Sequence, residues 1–108
     1  MTHYIQVLTT LPTADTARAM ARKLVERRLA ACVQISGPIE SVYWWQGQID
    51  SSSEWRLVAK SRTDLFPKLE AAIREDHPYE TPEILAQAIL AGLPEYLEWL
   101  HHELAPAE

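Results

Sequence analysis

The order in which hydrophobic patterns follow one another along this chain limits its possible folds more than any other feature. Residues 4–8 form a short β-prone run that ends at a turn. A helical pattern follows, in which Thr13 can act as the N-cap and apolar residues recur at i, i+3, i+4 and i+7 up to Leu29. Arg27 and Arg28 fall in the predicted last turn, where positive charge is favourable. The N-terminal part therefore predicts a buried strand followed by an amphipathic helix.

A long hairpin is predicted next. Residues 31–45 and 49–60 are rich in aromatic and β-branched side chains, which favour strands. Gln46-Gly47 between them predicts a tight turn. Gly37-Pro38 lies in the middle of the first run, where it predicts a bend or bulge without ending the strand. The two strands are expected to be longer than the rest of the sheet.

The remaining chain repeats the strand and helix order. Thr63 is the predicted cap of a second helix that Pro78 ends. Residues 83–90 predict a fourth strand ended by Gly92, and Pro94 opens a last helix. The chain thus contains two βαβ halves joined through the hairpin. This order predicts an α+β fold, a ferredoxin-like split βαβ sandwich with a long hairpin between the second and third strands and an extra C-terminal helix.

Composition restricts the class of protein. The 108 residues, 47% hydrophobic, suit a single domain covering residues 1–108. The formal charge is −5, and no basic run is longer than Arg27-Arg28, so we expect no nucleic-acid partner. No apolar stretch is long enough for a membrane span or a secretory signal, so no membrane partner is expected. With one cysteine, Cys32, the chain suits a reducing compartment, and we expect a cytoplasmic protein.

The aromatic residues of the hairpin predict self-association. Two helices at one end of a sheet cannot cover four large aromatic side chains along a long hairpin. Some of this surface should therefore meet another chain, and pairing of strand edges would bury it. We expect a homo-oligomer with an interface formed by Tyr43, Trp44, Trp45 and Trp55.

Several segments together resemble one known family. They are Ala30-Ala31-Cys32-Val33, Ser41-Val42-Tyr43-Trp44-Trp45-Gln46-Gly47-Gln48-Ile49, Lys60-Ser61-Arg62, His77-Pro78-Tyr79-Glu80-Thr81-Pro82-Glu83-Ile84 and Tyr96-Leu97-Glu98-Trp99-Leu100. In order and spacing they are similar to the CutA divalent-cation-tolerance proteins. The resemblance implies a ferredoxin-like fold, a homotrimer built around the hairpin, an architecture like that of PII signalling proteins, and metal tolerance with copper binding. It implies no established catalytic activity.

The resemblance also implies a metal site. Copper-binding members use a cysteine near the end of the first strand and two adjacent histidines, and the matching positions here are Thr9, Asp76 and His77. We expect a divalent metal ion, copper foremost, with His77, Asp76 and Cys32 as candidate ligands and no organic cofactor. For His77 the alternative is a structural cap and loop anchor. For Cys32 it is a small buried hydrophobic residue.

A second kind of site remains open. The loop after His77, with Lys60 and aromatic side chains of a neighbouring subunit, predicts an inter-subunit cleft formed by Lys60, Tyr79, Glu80 and Trp45. Such a cleft would suit a PII-like regulatory module that binds a small molecule or a partner protein. His101-His102 are interpreted as exposed helix residues, because consecutive helical positions point about 100° apart. No catalytic motif is present, and we expect no enzyme activity.

Overall fold

The computed structural model describes residues 3–106, and its elements follow the predicted order. The single-domain prediction also covers residues 1, 2, 107 and 108, which lie outside the described residues. The elements are β1 (Tyr4–Leu11), α1 (Ala14–Glu26), β2 (Cys32–Trp45), β3 (Gln48–Arg62), a 3-10 turn (Thr63–Leu65), α2 (Phe66–Asp76), β4 (Leu85–Ala88) and α3 (Pro94–Glu103). The four strands form one antiparallel sheet in the order β2-β3-β1-β4. This arrangement confirms the predicted ferredoxin-like α+β fold.

One face of the sheet carries the hydrophobic core. Side chains alternate between the two faces of a strand, so Ile5, Val7 and Leu11 lie on one face of β1. Their paired residues on β3, such as Ala59 opposite Val7, lie on the same face of the sheet. Helices α1 and α2 cover this face with their apolar stripes. The resulting cluster of buried side chains contains Ile5, Val7, Leu11, Leu57 and Ala59 from the strands, with Ala17, Met20, Ala21 and Leu24 from α1 and Leu69, Ala72 and Ile73 from α2. Leu8, which projects from the opposite face of β1, is also buried.

The predicted cap of α1 is confirmed, whereas its predicted last turn is wrong. The Thr13 hydroxyl accepts a hydrogen bond from the backbone N–H of Thr16 at 3.1 Å, which satisfies one free donor of the first turn. The helix ends at Glu26. Arg27 is its C-cap, and Arg28 adopts a positive φ of 58°, which turns the chain toward β2.

Three other predicted boundaries are corrected. Strand β1 continues through Thr9 and Thr10 to Leu11, because these residues pair with β3. Strand β4 covers Leu85–Ala88, a shorter range than the predicted 83–90. Thr63 is not a helix cap: it starts the 3-10 turn, and its hydroxyl donates to the carbonyl of His3. The end of α2 before Pro78 and the start of α3 at Pro94 are as predicted.

A bulge bends the hairpin where the sequence predicted it. Gly37 and Pro38 lie opposite a single residue, Trp55, between the pairs Ser36–Arg56 and Ile39–Glu54. The Trp55 ring lies so close to Gly37 that a Cβ there would be 2.8 Å from two ring carbons. Trp55 is accordingly half-buried and packs against the core of its own chain. The bulge also changes which hairpin residues share a face, because two residues of β2 are opposed by one of β3.

The C-terminal helix is fixed to the end of β3 by a buried arginine. Arg62 is 2% exposed, and its guanidinium donates to both carboxylate oxygens of Asp64 at 2.9 and 3.2 Å. It also donates to the carbonyl of Ala105 at 2.6 Å, just after α3. Leu100 of α3 is fully buried. Within residues 3–106 no helix has the length and hydrophobicity needed to cross a membrane.

Candidate functional site

A large cleft lies between the hairpin and the segment that follows α2. It has a volume of about 1110 Å³. The residues that line it are Thr10, Ser41, Val42, Tyr43, Trp45, Asp50, Ser52, Glu54, Tyr79, Glu80, Thr81 and Glu83. Three of them are aromatic, four carry carboxylates, and none is basic. The cleft therefore combines flat apolar surfaces with negative charge.

Strand register explains which hairpin residues reach the cleft. Beyond the bulge, Ser41 pairs with Ser52, Tyr43 with Asp50 and Trp45 with Gln48. Paired residues share a face, and successive residues alternate, so the cleft face carries Tyr43 and Trp45. Trp44 and its partner Ile49 lie on the other face, where they are 73% and 66% exposed. The four aromatic residues predicted to form one interface thus divide between two faces of the hairpin and, for Trp55, the core.

A buried carboxylate forms the floor of the cleft. Glu54 is 7% exposed, and its carboxylate accepts a hydrogen bond from the Tyr79 hydroxyl at 2.9 Å. Burial raises the pKa of Glu54, but hydrogen bonds from Ser41, Tyr79 and Thr10 outweigh it, so the net pKa is below the usual value. Burial and the bond to the same carboxylate raise the pKa of Tyr79 to about 12. Glu54 is therefore charged and Tyr79 neutral at physiological pH.

His77 lies behind the Tyr79 side of the cleft. Its Nε2 is 2.8 Å from the carbonyl oxygen of Thr10 and 3.4 Å from the hydroxyl of Thr9. Its Nδ1 accepts a hydrogen bond from the backbone N–H of Tyr79 at 3.1 Å. Burial lowers the pKa of His77, although the Thr10 carbonyl and the Glu54 charge oppose this effect. Both ring nitrogens thus have protein partners.

The candidate metal ligands do not form one group. The carboxylate of Asp76 contacts the Lys23 ammonium at 2.6 Å, and this contact lowers its pKa. Cys32 begins β2 opposite Lys60, and its proximity contributes, after burial, to the raised pKa of Tyr96 in α3. Among the residues that the structure describes, no three His, Cys, Asp or Glu side chains lie close enough to hold one metal ion. Thr9 offers a neutral hydroxyl, a poor ligand for copper. The residues at these positions do not fit a Cys/His copper site.

The structure brings most of the candidate cleft residues together. Trp45, Tyr79 and Glu80 line the cleft. Lys60 lies outside its lining, opposite Cys32, where its ammonium donates to Gln34 at 3.1 Å. His101 and His102 are both exposed on α3.

Sequence reasoning missed the carboxylates of β3. Asp50, Ser52 and Glu54 occupy alternate positions of a strand and therefore share a face. The two-residue turn at Gln46-Gly47 would have fixed their partners as far as the bulge. The alternating polar residues of β3 were thus a usable signal for the acidic side of the cleft, whereas the contact between Glu54 and Tyr79 was not.

Fold and cleft together define a class of protein. The four-stranded antiparallel sheet with two helices on one face and a long bulged hairpin makes this a ferredoxin-like domain whose hairpin extends the sheet. The family model described as "CutA1 divalent ion tolerance protein" matches residues 5–103. The chain belongs to this family.

Individual relatives agree with this assignment. The chain is 47% identical over 94 residues to a divalent-cation tolerance protein CutA of Thermus thermophilus, covering 87% of this chain and 91% of the relative. It is 41% identical to the mouse protein CutA over 92 residues, 85% of this chain but 52% of the longer mouse protein. The solved Thermus structure superimposes with a TM-score of 0.92 at 43% identity, covering 94% and 99% of the two chains. For CutA1 from Oryza sativa the TM-score is 0.95 at 35% identity, with 97% and 96% covered.

Proposed function

We propose that this chain acts in tolerance to divalent metal ions as a homotrimer, without catalysing a reaction, and that the cleft is its working site. The family description supports the general role. The observation that supports a homotrimer is the exposed apolar surface along both edges of the sheet. A cytoplasmic location is part of the proposal, supported by the single cysteine. Separating cell fractions and probing them for the chain would test the location.

The two edges differ, and this difference favours a ring. Strands β2 and β4 are the outer strands of the described sheet, so each has an edge with no partner strand within residues 3–106. Val42 and Trp44 are exposed on β2, and Leu85 and Leu90 on or just after β4, with Leu90 99% exposed. Two unlike edges on one chain suit a head-to-tail contact, and such contacts form a closed ring when the rotation between neighbouring chains closes. A trimer is the smallest closed ring of this kind.

A pair of matched substitutions tests the assembly. Ile49 on the hairpin and Val25 on α1 are both exposed β-branched residues, at 66% and 41%. Sedimentation of the wild type should give about 37 kDa, three times the 12.3 kDa of one chain. Ile49→Glu should lower this mass, because Ile49 lies beside its pair partner Trp44 and the new charge would fall within the proposed contact, whereas Val25→Glu should leave the mass unchanged. A wild-type mass of one chain would refute the trimer.

The cleft favours a second candidate function, that of a PII-like regulatory module that binds a small molecule. Its carboxylates and aromatic rings favour a cation with a flat apolar part, since rings attract cations and exclude water around them. Benzylamine and benzoate, which have similar size and opposite charge, are matched probes. Benzylamine should raise the thermal midpoint and benzoate should not, and Trp45→Ala should abolish the effect. Equal effects of the two probes would refute this specificity.

Direct copper binding through His77, Asp76 and Cys32 is the weaker candidate. The first two side chains are engaged by other protein groups, and Cys32 is not grouped with them. Any role in copper tolerance would then proceed through another part of the molecule. Calorimetric titration of copper(II) into the wild type and His77→Ala separates these alternatives.

A further inference from the structure

We infer that His77 is a positioning residue that holds one wall of the cleft in place, and that it is not a metal ligand. The inference concerns hydrogen bonds within a single chain. It is therefore independent of whether the cleft binds a cation or whether the chain is a trimer. It follows from three observations: the partners of the ring, the position of those partners in the fold, and the state of the neighbouring candidate ligands.

The two partners of the ring fix its protonation. The carbonyl of Thr10 can only accept a hydrogen bond, so Nε2 carries the proton. The backbone N–H of Tyr79 can only donate, so Nδ1 is unprotonated and its lone pair is already used. A metal ion needs a free lone pair on one of these nitrogens. Ligation would thus break at least one of the two bonds.

One partner of His77 lies on the side of β1 that β4 no longer covers, and the other lies in the segment after α2. Strand β4 pairs with β1 only as far as Leu8, so the edge of β1 at Thr10 lacks a neighbouring strand on that side. The N–H of His77 bonds back to the carbonyl of Arg74, and Pro78 has no N–H, so the amide of Tyr79 is the next backbone donor after the helix cap. His77 connects these two places, and it joins the free edge of the sheet to the segment after the helix.

The contact continues from Tyr79 into the cleft. The His77 and Tyr79 rings pack with centroids 5.0 Å apart. The Tyr79 hydroxyl then donates to Glu54 on β3 at 2.9 Å. A chain of contacts thus runs from the β1 edge through His77 and Tyr79 to the buried carboxylate. Loss of His77 should release the backbone of Tyr79 and, with it, this wall of the cleft.

The side chains beside His77 do not offer a metal ion a second ligand. Asp76 is paired with Lys23 at 2.6 Å and points to α1. The Thr9 hydroxyl is 3.4 Å from Nε2 and is neutral. Across residues 3–106 the structure contains no three-donor group of His, Cys, Asp or Glu. A copper ion at His77 would have to displace at least one of these hydrogen bonds in exchange for a single good ligand.

Two substitutions separate the two halves of the His77 contact. In His77→Asn the amide oxygen can take the place of Nδ1 and accept from Tyr79. In His77→Gln the amide nitrogen can take the place of Nε2 and donate to Thr10. Hydrogen exchange of the Tyr79 amide, measured by NMR on each full-length protein, reports the first bond directly. His77→Gln and His77→Ala should exchange this amide about fivefold faster or more, since a net hydrogen bond is worth about 1 kcal/mol. His77→Asn should retain protection.

A copper titration tests the alternative, that His77 is a metal ligand. Copper(II) is titrated into wild type and His77→Ala by calorimetry, after sedimentation has shown equal oligomeric mass. We expect the two titrations to agree. Saturable binding that disappears in His77→Ala would overturn the inference, because it would make the imidazole a ligand. Unchanged exchange of the Tyr79 amide in His77→Ala would also overturn it, because the ring would then hold nothing in place.

Discussion

Replacement of Tyr79 by Phe tests whether the floor of the cleft is held by a charged hydrogen bond. The substitution removes only the hydroxyl that donates to Glu54 at 2.9 Å. A hydrogen bond to a charged group contributes about 1.5–3 kcal/mol. Because Glu54 keeps hydrogen bonds from Ser41 and Thr10, we expect the lower end of this range, a loss of about 1.5 kcal/mol of unfolding free energy.

Tyr43→Phe is the matched control. The Tyr43 hydroxyl donates to the Ser52 hydroxyl at 3.2 Å in an exposed, neutral pair on the same face of the hairpin. Its removal should cost about 0.5 kcal/mol at most. Urea unfolding of both variants and the wild type at one protein concentration measures the difference, because the stability of an oligomer depends on concentration. Equal losses in the two variants would refute the charged bond.

The same substitution has a pH signature. Burial raises the pKa of Glu54, but its hydrogen bonds bring this pKa below its ordinary value of 4.5. A carboxylate whose pKa is lower in the folded than in the unfolded state stabilises the fold at pH values above its unfolded-state pKa. This contribution is lost as the pH falls through the folded-state pKa. Tyr79→Phe removes one of the hydrogen bonds that lower the pKa of Glu54. The difference in unfolding free energy between this variant and the wild type should therefore shrink in that acidic range. A difference that is constant with pH would contradict a charged acceptor.

Three further substitutions and conditions test separate parts of the fold. Thr13→Ala should lower the unfolding free energy by about 1 kcal/mol through loss of the α1 cap, and Thr13→Ser should restore it, both measured by urea unfolding. Gly37→Ala should cost about 1–3 kcal/mol, because the new Cβ would lie 2.8 Å from the Trp55 ring, and a fully stable variant would show that the bulge can relax. Burial lowers the pKa of His77 below 6.5, so it stabilises the fold above that pH, and this contribution is lost as the pH falls through its folded pKa. Thermal midpoints between pH 7.5 and 5 should show a steeper decline for wild type than for His77→Ala.

The elements that local patterns determine were predictable. The apolar period of α1 and its Thr13 cap, the turn at Gln46-Gly47 and the bend at Gly37-Pro38 all depend on residues close in sequence. Thr63 resembles a cap equally well, but its hydroxyl is used by His3 and the helix starts only at Phe66. Local chemistry therefore gave the order of elements but not every boundary.

The candidate site depends on contacts that are distant in sequence. Glu54 and Tyr79 are 25 residues apart, and Thr10 and His77 are 67 apart. No periodicity within one strand or helix specifies such pairs, which arise only when β1, β3 and the segment after α2 are brought together. The resemblance to a divalent-cation-tolerance family drew attention to His77 as a metal ligand, whereas both of its ring nitrogens have hydrogen-bond partners in the protein.

A crystal structure of the protein soaked with copper(II), with anomalous data at the copper edge, tests the account most directly. We expect three chains in a ring, with the His77 Nε2 still within hydrogen-bond distance of the Thr10 carbonyl and no copper peak beside the imidazole. A peak within bonding distance of either ring nitrogen, or a chain that remains a monomer, would contradict the account.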